Sequence, residues 1–344
     1  MKKRLAAAAL AAILLRLALL TGGAGDALRG LLSPGGVNVS VTVSAASSAD
    51  EAAAPQAVSE GGSPALSPPP GAAPEPEASP SPEPEAVFAP DGTAILPTTI
   101  PGGVTIRNAT SIEPDIEALL AEGPALRLPR EGVQVLILHT HGSEAYTPDG
   151  EDVYVASDPY RTQDRSQSVV RVGDELAAAL ERQGLTVYHD REIYDFPSYT
   201  GSYSRSGAAV TAFLETHPET AVVIDLHRDA LGTDETIYKT VAELCGTVSS
   251  QLMLVVGTGE NGLPHPDWRE NLALALRLQQ AAAARWPTLM RPVSLVKERY
   301  NQQLAPGMLI LEVGSSGNTL REAIAAVEAF AEAAGPALRG LAEE

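Results

Sequence analysis

The stretch Val133-Gln134-Val135-Leu136-Ile137-Leu138-His139-Thr140-His141-Gly142-Ser143-Glu144 decides how the rest of the chain is read. Its apolar run, Val133 to Leu138, is the mark of a strand buried on both faces, as in parallel sheets covered by helices. Polar residues able to bind a metal follow at once, where the carboxyl end of that strand must lie. Ligands of open α/β sheets bind just beyond such ends.

Further along the chain, helical and extended patterns alternate. Val169 to Gln183 carries apolar residues at helical spacing (Val169, Val172, Leu176, Leu180) and stops at Gly184. Leu185 to Tyr188 predicts a strand, Val210 to Glu215 part of a second helix, and Ala221 to Leu226 a third buried strand. Thr247 to Val256 reads as one further strand and Arg269 to Arg285 as a long Ala/Leu helix; Val293 to Val296 and Met308 to Val313 read as two more strands. The last helix opens with the capping box Thr319-Leu320-Arg321-Glu322. Before the first strand, Ile112 to Leu120 has helical spacing. This alternation predicts an α/β fold, a mixed and largely parallel sheet flanked by helices, in a domain over residues 101–344.

The chain opens with Met1-Lys2-Lys3-Arg4 and an apolar run from Leu5 to Leu20, so residues 1–25 read as a signal or transmembrane anchor. An anchor retained in the membrane and a cleaved signal are both open, the latter through the small residues Gly22, Gly23, Ala24 and Ala27. Residues 26–100 are rich in Pro, Ala, Ser and Glu and read as a low-complexity linker with too few large apolar groups to bury a core. A net charge of −19, from 43 acidic against 24 basic residues, excludes nucleic acid as a partner, because phosphate binding needs a dense cationic face. The single cysteine, Cys245, cannot close an intramolecular disulfide and reads as inert packing.

Six histidines occur: His139, His141, His189, His217, His227 and His265. His139 and His141 follow the first strand. His227 ends another in Ile224-Asp225-Leu226-His227-Arg228-Asp229-Ala230, and Glu312 sits in Leu309-Ile310-Leu311-Glu312-Val313-Gly314. If these strands are parallel neighbours, the imidazoles and carboxylates share one crevice. His-x-x-Glu with a distant second His supplies two nitrogens and one oxygen, the ligand set of a catalytic zinc whose fourth position is open. A separate carboxylate must then move the proton. Zn2+ ligands are therefore expected at His141, Glu144 and His227 and the proton shuttle at Glu312, which would be costly to bury without a role. His139 stands as an alternative ligand or as a group behind the ligands. His189, His217 and His265 read as strand-end and loop residues, and Gly257-Thr258-Gly259 lacks the continuation a phosphate loop requires.

These motifs run in order with Val170-Arg171-Val172-Gly173-Asp174-Glu175-Leu176, His189-Asp190, Asp195-Phe196-Pro197-Ser198-Tyr199-Thr200-Gly201-Ser202-Tyr203-Ser204-Arg205-Ser206 and His265-Pro266-Asp267-Trp268-Arg269-Glu270-Asn271-Leu272. Together they resemble the stage II sporulation protein P family of endospore-forming bacteria. The resemblance implies a zinc-dependent N-acetylmuramoyl-L-alanine amidase that also has D,D-endopeptidase activity, with a zinc-amidase-like fold and peptidoglycan as substrate. It implies membrane anchoring at the septum between mother cell and forespore, with stage II sporulation proteins D and M as partners. Related zinc amidases take their carboxylate ligand from a later position than Glu144. Tyr199, Tyr203 and Arg205 are then expected in a polar, aromatic loop lining a groove for sugar and peptide. Arg228 is expected to hold a stem-peptide carboxylate or to pair with Asp225 or Asp229. A zinc carboxypeptidase and a non-catalytic wall-binding scaffold are the competing functions.

Overall fold

The computed structural model describes residues 104–232 and 236–342, preceded by two short strands at 87–88 and 94–95. The expected anchor or signal at 1–25 and most of the 26–100 linker lie outside the described residues. Among the described residues no helix is long and apolar enough to cross a membrane.

In chain order the strands are β1 (Val87–Phe88), β2 (Ala94–Ile95), β3 (Ile106–Asn108), β4 (Val135–Leu138), β5 (Val187–His189), β6 (Val222–Asp229), β7 (Tyr238–Lys239), β8 (Ala242–Leu244), β9 (Thr247–Ser249), β10 (Leu252–Gly257), β11 (Val293–Val296) and β12 (Met308–Ser315). The helices are α1 (Ile116–Glu122), α2 (Val169–Arg182), α3 (Ser202–Thr216), α4 (Trp268–Arg285) and α5 (Leu320–Arg339). Seven strands form one sheet in the order β3-β11-β10-β12-β6-β4-β5. Every neighbouring pair is parallel except β10 with β12. Opposite in direction to β10, β11 and β3, strands β12, β6, β4 and β5 pair in parallel with one another and so share a common direction. Their carboxyl ends lie along one edge, and it is these strands that carry the candidate histidines and Glu312.

Alternate residues of a strand face opposite sides of the sheet, and here the two sides are unequally covered. Val135, Ile137, Val222, Ile224, Leu226, Leu309, Leu311 and Val313 join a large core with α2, α4 and α5. Leu136, Leu138, Val223 and Met308 face the other side, where they form a small cluster with Val210 of α3 and Ala305, with Phe213, Leu214 and Leu304 at its margin. Asp225 and His227 follow Val223 on this lightly covered side, and Glu312 follows Met308 there. The candidate polar residues thus sit on the side with the smaller apolar cluster.

Local chemistry explains where the elements depart from the sequence patterns. Pro114 and Asp115 delay α1 to Ile116, with the Asp115 side chain accepting from the Ala118 backbone N–H. The single strand expected from Thr247 to Val256 is two. Thr247–Ser249 returns against Ala242–Leu244 in a hairpin, and β10 begins only at Leu252. Cys245 and Gly246 make the two-residue turn with φ of +50° and +88°, so Cys245 is an exposed turn residue and not packing. Tyr203 and Arg205, expected in a loop with Tyr199, lie in the first turn of α3, which Gly201 opens at φ +82°. The end of the expected linker also has regular structure: β2 pairs with β1 and, in parallel, with β7. The capping box of α5 forms as read, Thr319 accepting from Glu322 N–H and Glu322 accepting from Thr319 N–H.

The left-handed backbone at position 245 suits asparagine far better than cysteine. Cys245→Asn is expected to raise the unfolding free energy by up to about 1 kcal/mol, read as an increased urea midpoint at unchanged m-value.

Candidate active site at the strand ends

Parallel pairing of β6 with β12 puts Glu312 directly beside His227, and β4 lies on the other flank of β6. Past Leu138 the chain turns, and the turn decides what each histidine meets. His139 stays on the heavily packed side, fully enclosed, with Nδ1 2.9 Å from the Leu226 carbonyl and Nε2 2.7 Å from His189 Nε2. His141 is carried to the other side, its ring 5.2 Å from that of His227 and edge-on to it. The alternative ligand read at His139 therefore faces away from the crevice. Glu144 enters it, Oε2 lying 3.5 Å from His227 Nδ1 and accepting from the Arg228 backbone N–H at 3.1 Å.

Two further carboxylates support these groups. Asp225 is fully buried and accepts from Thr140 N–H at 2.8 Å and Thr140 Oγ1 at 2.6 Å. It also lies 3.0 Å from His227 Nε2. Asp195 accepts from Ser143 N–H at 3.1 Å, from Ser143 Oγ and from Arg161, and stands 3.9 Å from His141 Nδ1. Sequence reasoning missed both. Asp225 had a signal, a charged residue inside an apolar strand, the same feature that singled out Glu312. Asp195 opens one of the stretches that carry the family resemblance, but it sits in a loop, as Arg161 does, with no periodic pattern to single it out.

Tyr199 stacks flat on His141 with ring centroids 4.5 Å apart, and Tyr203 meets the same imidazole edge-on at 5.5 Å. Arg161 lies over the Tyr199 ring at 5.0 Å. The two remaining arginines do other work. Arg205 donates to the carbonyls of Tyr194, Ser198 and Thr200, holding the loop that carries Tyr199. Buried Arg228 donates to the carbonyls of Ala145 and Tyr160, both at 3.0 Å, and of Asp229 at 3.4 Å. Its guanidinium makes no ion pair with the Asp225 or Asp229 carboxylates, and Asp229 pairs instead with Arg291 at 2.7 Å.

Burial decides most of the protonation. It holds the imidazoles of His139 and His141 down at about 3, leaving both neutral. Burial works against charge on His227 as well, but Asp225 and Glu144 outweigh it and lift its pKa well above the ordinary value. The Glu144 carboxyl is likewise buried, yet Arg228 and His227 hold it well below the usual carboxylate range. Glu312 has too little compensation. Burial and the charge of Asp229 push it up to about 8.

Among the described residues no three His, Cys, Asp or Glu side chains are drawn together as a metal-ligand cluster. Three buried atoms here nevertheless have no hydrogen-bond partner: His141 Nδ1, His227 Nε2 and Glu312 Oε2. The close approach of His227 Nε2 to Asp225 lacks hydrogen-bond geometry. An unpaired buried polar atom costs about 1–3 kcal/mol, and imidazole nitrogens beside carboxylate oxygens are the donors that zinc takes. The residues present fit a divalent ion by their chemistry.

A mixed α/β sheet with histidines and carboxylates gathered at one strand-end edge defines an open-sheet α/β protein with a polar cluster at its strand ends. Residues 96–335 match the family model of stage II sporulation protein P, and the chain belongs to that family. Stage II sporulation protein P of Bacillus subtilis (strain 168) is 28% identical over 215 residues, 58% of this chain and 50% of the relative. The chain thus spans about half the length of the curated relative it matches. Similar solved structures include the N-acetylmuramoyl-L-alanine amidase AmiC2 of Nostoc punctiforme, at 12% identity and a TM-score of 0.35, covering 60% of this chain and 96% of that one. An N-acetylmuramoyl-L-alanine amidase from Clostridium difficile 630 has 12% identity and a TM-score of 0.35, covering 61% and 97%.

The raised Glu312 pKa has a defined consequence for stability. Between its ordinary value of 4.5 and about 8, the folded protein keeps a proton that the unfolded chain has lost. Stability from this group therefore falls as pH rises through that window. In chelator, Glu312→Gln is expected to be more stable than wild type at about pH 8, the advantage fading below about pH 4.5. Urea midpoints of both proteins across this range check it; a difference independent of pH would contradict the assignment.

Proposed function

We propose that the chain is a zinc-dependent peptidoglycan hydrolase cleaving the amide between N-acetylmuramic acid and L-alanine, with stem-peptide cross-links as a second substrate. The observation that carries this reading is the convergence of His141, Glu144, His227 and Glu312 on one crevice, with Glu312 in register beside His227 and Glu144 3.5 Å from it. Family membership supports the choice of wall substrate. His141, Glu144 and His227 would hold the ion. When bound, zinc supplies Lewis acidity to the amide carbonyl and to the attacking water.

The remaining steps belong to the side chains. Glu312, as the carboxylate, takes the proton of the attacking water at Oε2 and returns it to the departing alanine nitrogen. Asp225, fixed by both donors of Thr140, lies 3.0 Å from His227 Nε2 and favours positive charge there. Tyr199 and Tyr203 offer flat surfaces beside His141 for sugar or peptide, while Arg205 and Arg228 act behind them by holding loops. An N-terminal segment at 1–25 and a linker at 26–100 would tether the domain at 101–344 in the septal space between mother cell and forespore. Stage II sporulation proteins D and M are the partners that family membership suggests.

Glu312→Gln is expected to keep its zinc and to lose about 10²–10⁴-fold in the release of L-alanine amino groups from purified wall. His227→Ala should instead lose zinc, measured by elemental analysis of the dialysed protein. Full turnover by Glu312→Gln, or full zinc in both His141→Ala and His227→Ala, would sink the reading. Shortened stem peptides without new L-alanine amino termini would identify a carboxypeptidase.

A further inference from the structure

Behind the crevice, on the heavily packed side of the sheet, lies a row of polar side chains with no part in the chemistry above. It begins at the Leu226 carbonyl of β6, 2.9 Å from His139 Nδ1. It crosses to β5 through the 2.7 Å contact between the Nε2 atoms of His139 and His189. It ends on α2, where His189 Nδ1 stands 3.0 Å from Asp174 Oδ1, an oxygen that Arg191 also holds at 2.6 Å. A carbonyl only accepts, so neutral His139 carries its proton on Nδ1, and its Nε2 accepts from His189 Nε2.

The strand ladders explain why a side-chain row is needed here. β4 pairs with β5 only as far as Ile137 opposite His189, and with β6 as far as Leu138 opposite Asp225. The last backbone bond from β4 to the chain of β5 runs from Asp190 N–H to the Ile137 carbonyl at 2.8 Å, and past it sheet twist carries neighbouring strands apart. His139, the next residue of β4's chain, spans both gaps with its ring. Leu226 immediately precedes His227, and His139 is two residues from His141. The row therefore ties together the roots of both crevice histidines.

Helix α2 is shaped to admit it. A Cβ at Gly173 would lie 2.6 Å from Nε2 of His139 and 2.6 Å from Nε2 of His189. Glycine is unfavourable in a helix interior compared with alanine, and this one leaves the space that the two imidazoles fill.

We propose that His139, His189 and Asp174 form a buried crosspiece that sets the spacing of His141 and His227, with Gly173 as the gap in α2 that lets it form. These are positioning residues. The proposal deepens the reading of the site given above and rests on His141 and His227 acting together, so its test needs a signal independent of zinc.

The full chain, labelled at histidine, gives that signal through the imidazole resonances in chelator. Gly173→Ala and Asp174→Asn are expected to shift the His141 and His227 rings, although neither substituted residue touches them, and to leave the remote rings of His217 and His265 in place. Zinc affinity, measured by chelator competition, is expected to fall about 10–100-fold in both variants. Should Gly173→Ala fail to fold, Asp174→Asn decides, because its side chain is partly exposed on the helix surface. Unmoved His141 and His227 resonances in the folded variants overturn the crosspiece whatever zinc does. Shifted resonances in a protein whose wild type binds no zinc leave the crosspiece standing and remove the metal reading.

Discussion

Ionisable groups sit on two central strands that are buried along most of their length, and this constraint governs the rest of the structure. Asp225 has no solvent access, and a carboxylate in that position persists only when its oxygens are matched by donors or positive charge. Both Thr140 donors supply the match, with His227 alongside. The same bonds that make Asp225 tolerable fasten the turn after β4 to β6. Glu144 follows the same logic through the Arg228 backbone N–H. Glu312 does not, and its orphan oxygen and raised pKa are what is left when one carboxyl on these strands has no matching donor.

Where that constraint acts is set by the sheet. Parallel pairing of β12 with β6, of β6 with β4 and of β4 with β5 aligns these strands so that their chemistry-bearing residues meet at one edge. Three helices cover one side with a continuous core, while α3 covers the other with a small apolar patch. Polar residues on β6 and β12 therefore emerge where packing thins out. The arginines near the crevice serve this arrangement more than they serve a ligand: Arg205 and Arg228 spend their donors on loop carbonyls. Charge beside a site is often scaffolding, and here the hydrogen-bond partners distinguish the two uses.

Much of this was legible in the residues. Apolar runs marked β4, β6, β11 and β12, helical spacing with its caps marked α2, α4 and α5, and the alternation of the two gave the α/β class. Glu312 stood out because a lone carboxylate in an apolar strand demands an explanation. Asp225 carries the same mark, and only the folded chain shows that its partners are Thr140 and His227 and not Arg228. The break between β9 and β10 was hidden inside what reads as one strand from Thr247 to Val256, and a turn that depends on two positive φ angles leaves little trace when one of its residues is Cys245.

Periodicity and capping are local properties, spaced over a few residues, so the chain by itself determined which segments are strands and helices and which side of each is apolar. Partners are not local. That His139 turns into the core while His141 turns out depends on a four-residue turn held by Asp225 and Asp195 from elsewhere in the chain. The pairing of His139 with His189, fifty residues away, and the register of Glu312 against His227 exist only once the strands are laid side by side. Two histidines in the same short motif thus acquired different work, because tertiary packing, and not their spacing, chose what each one faces.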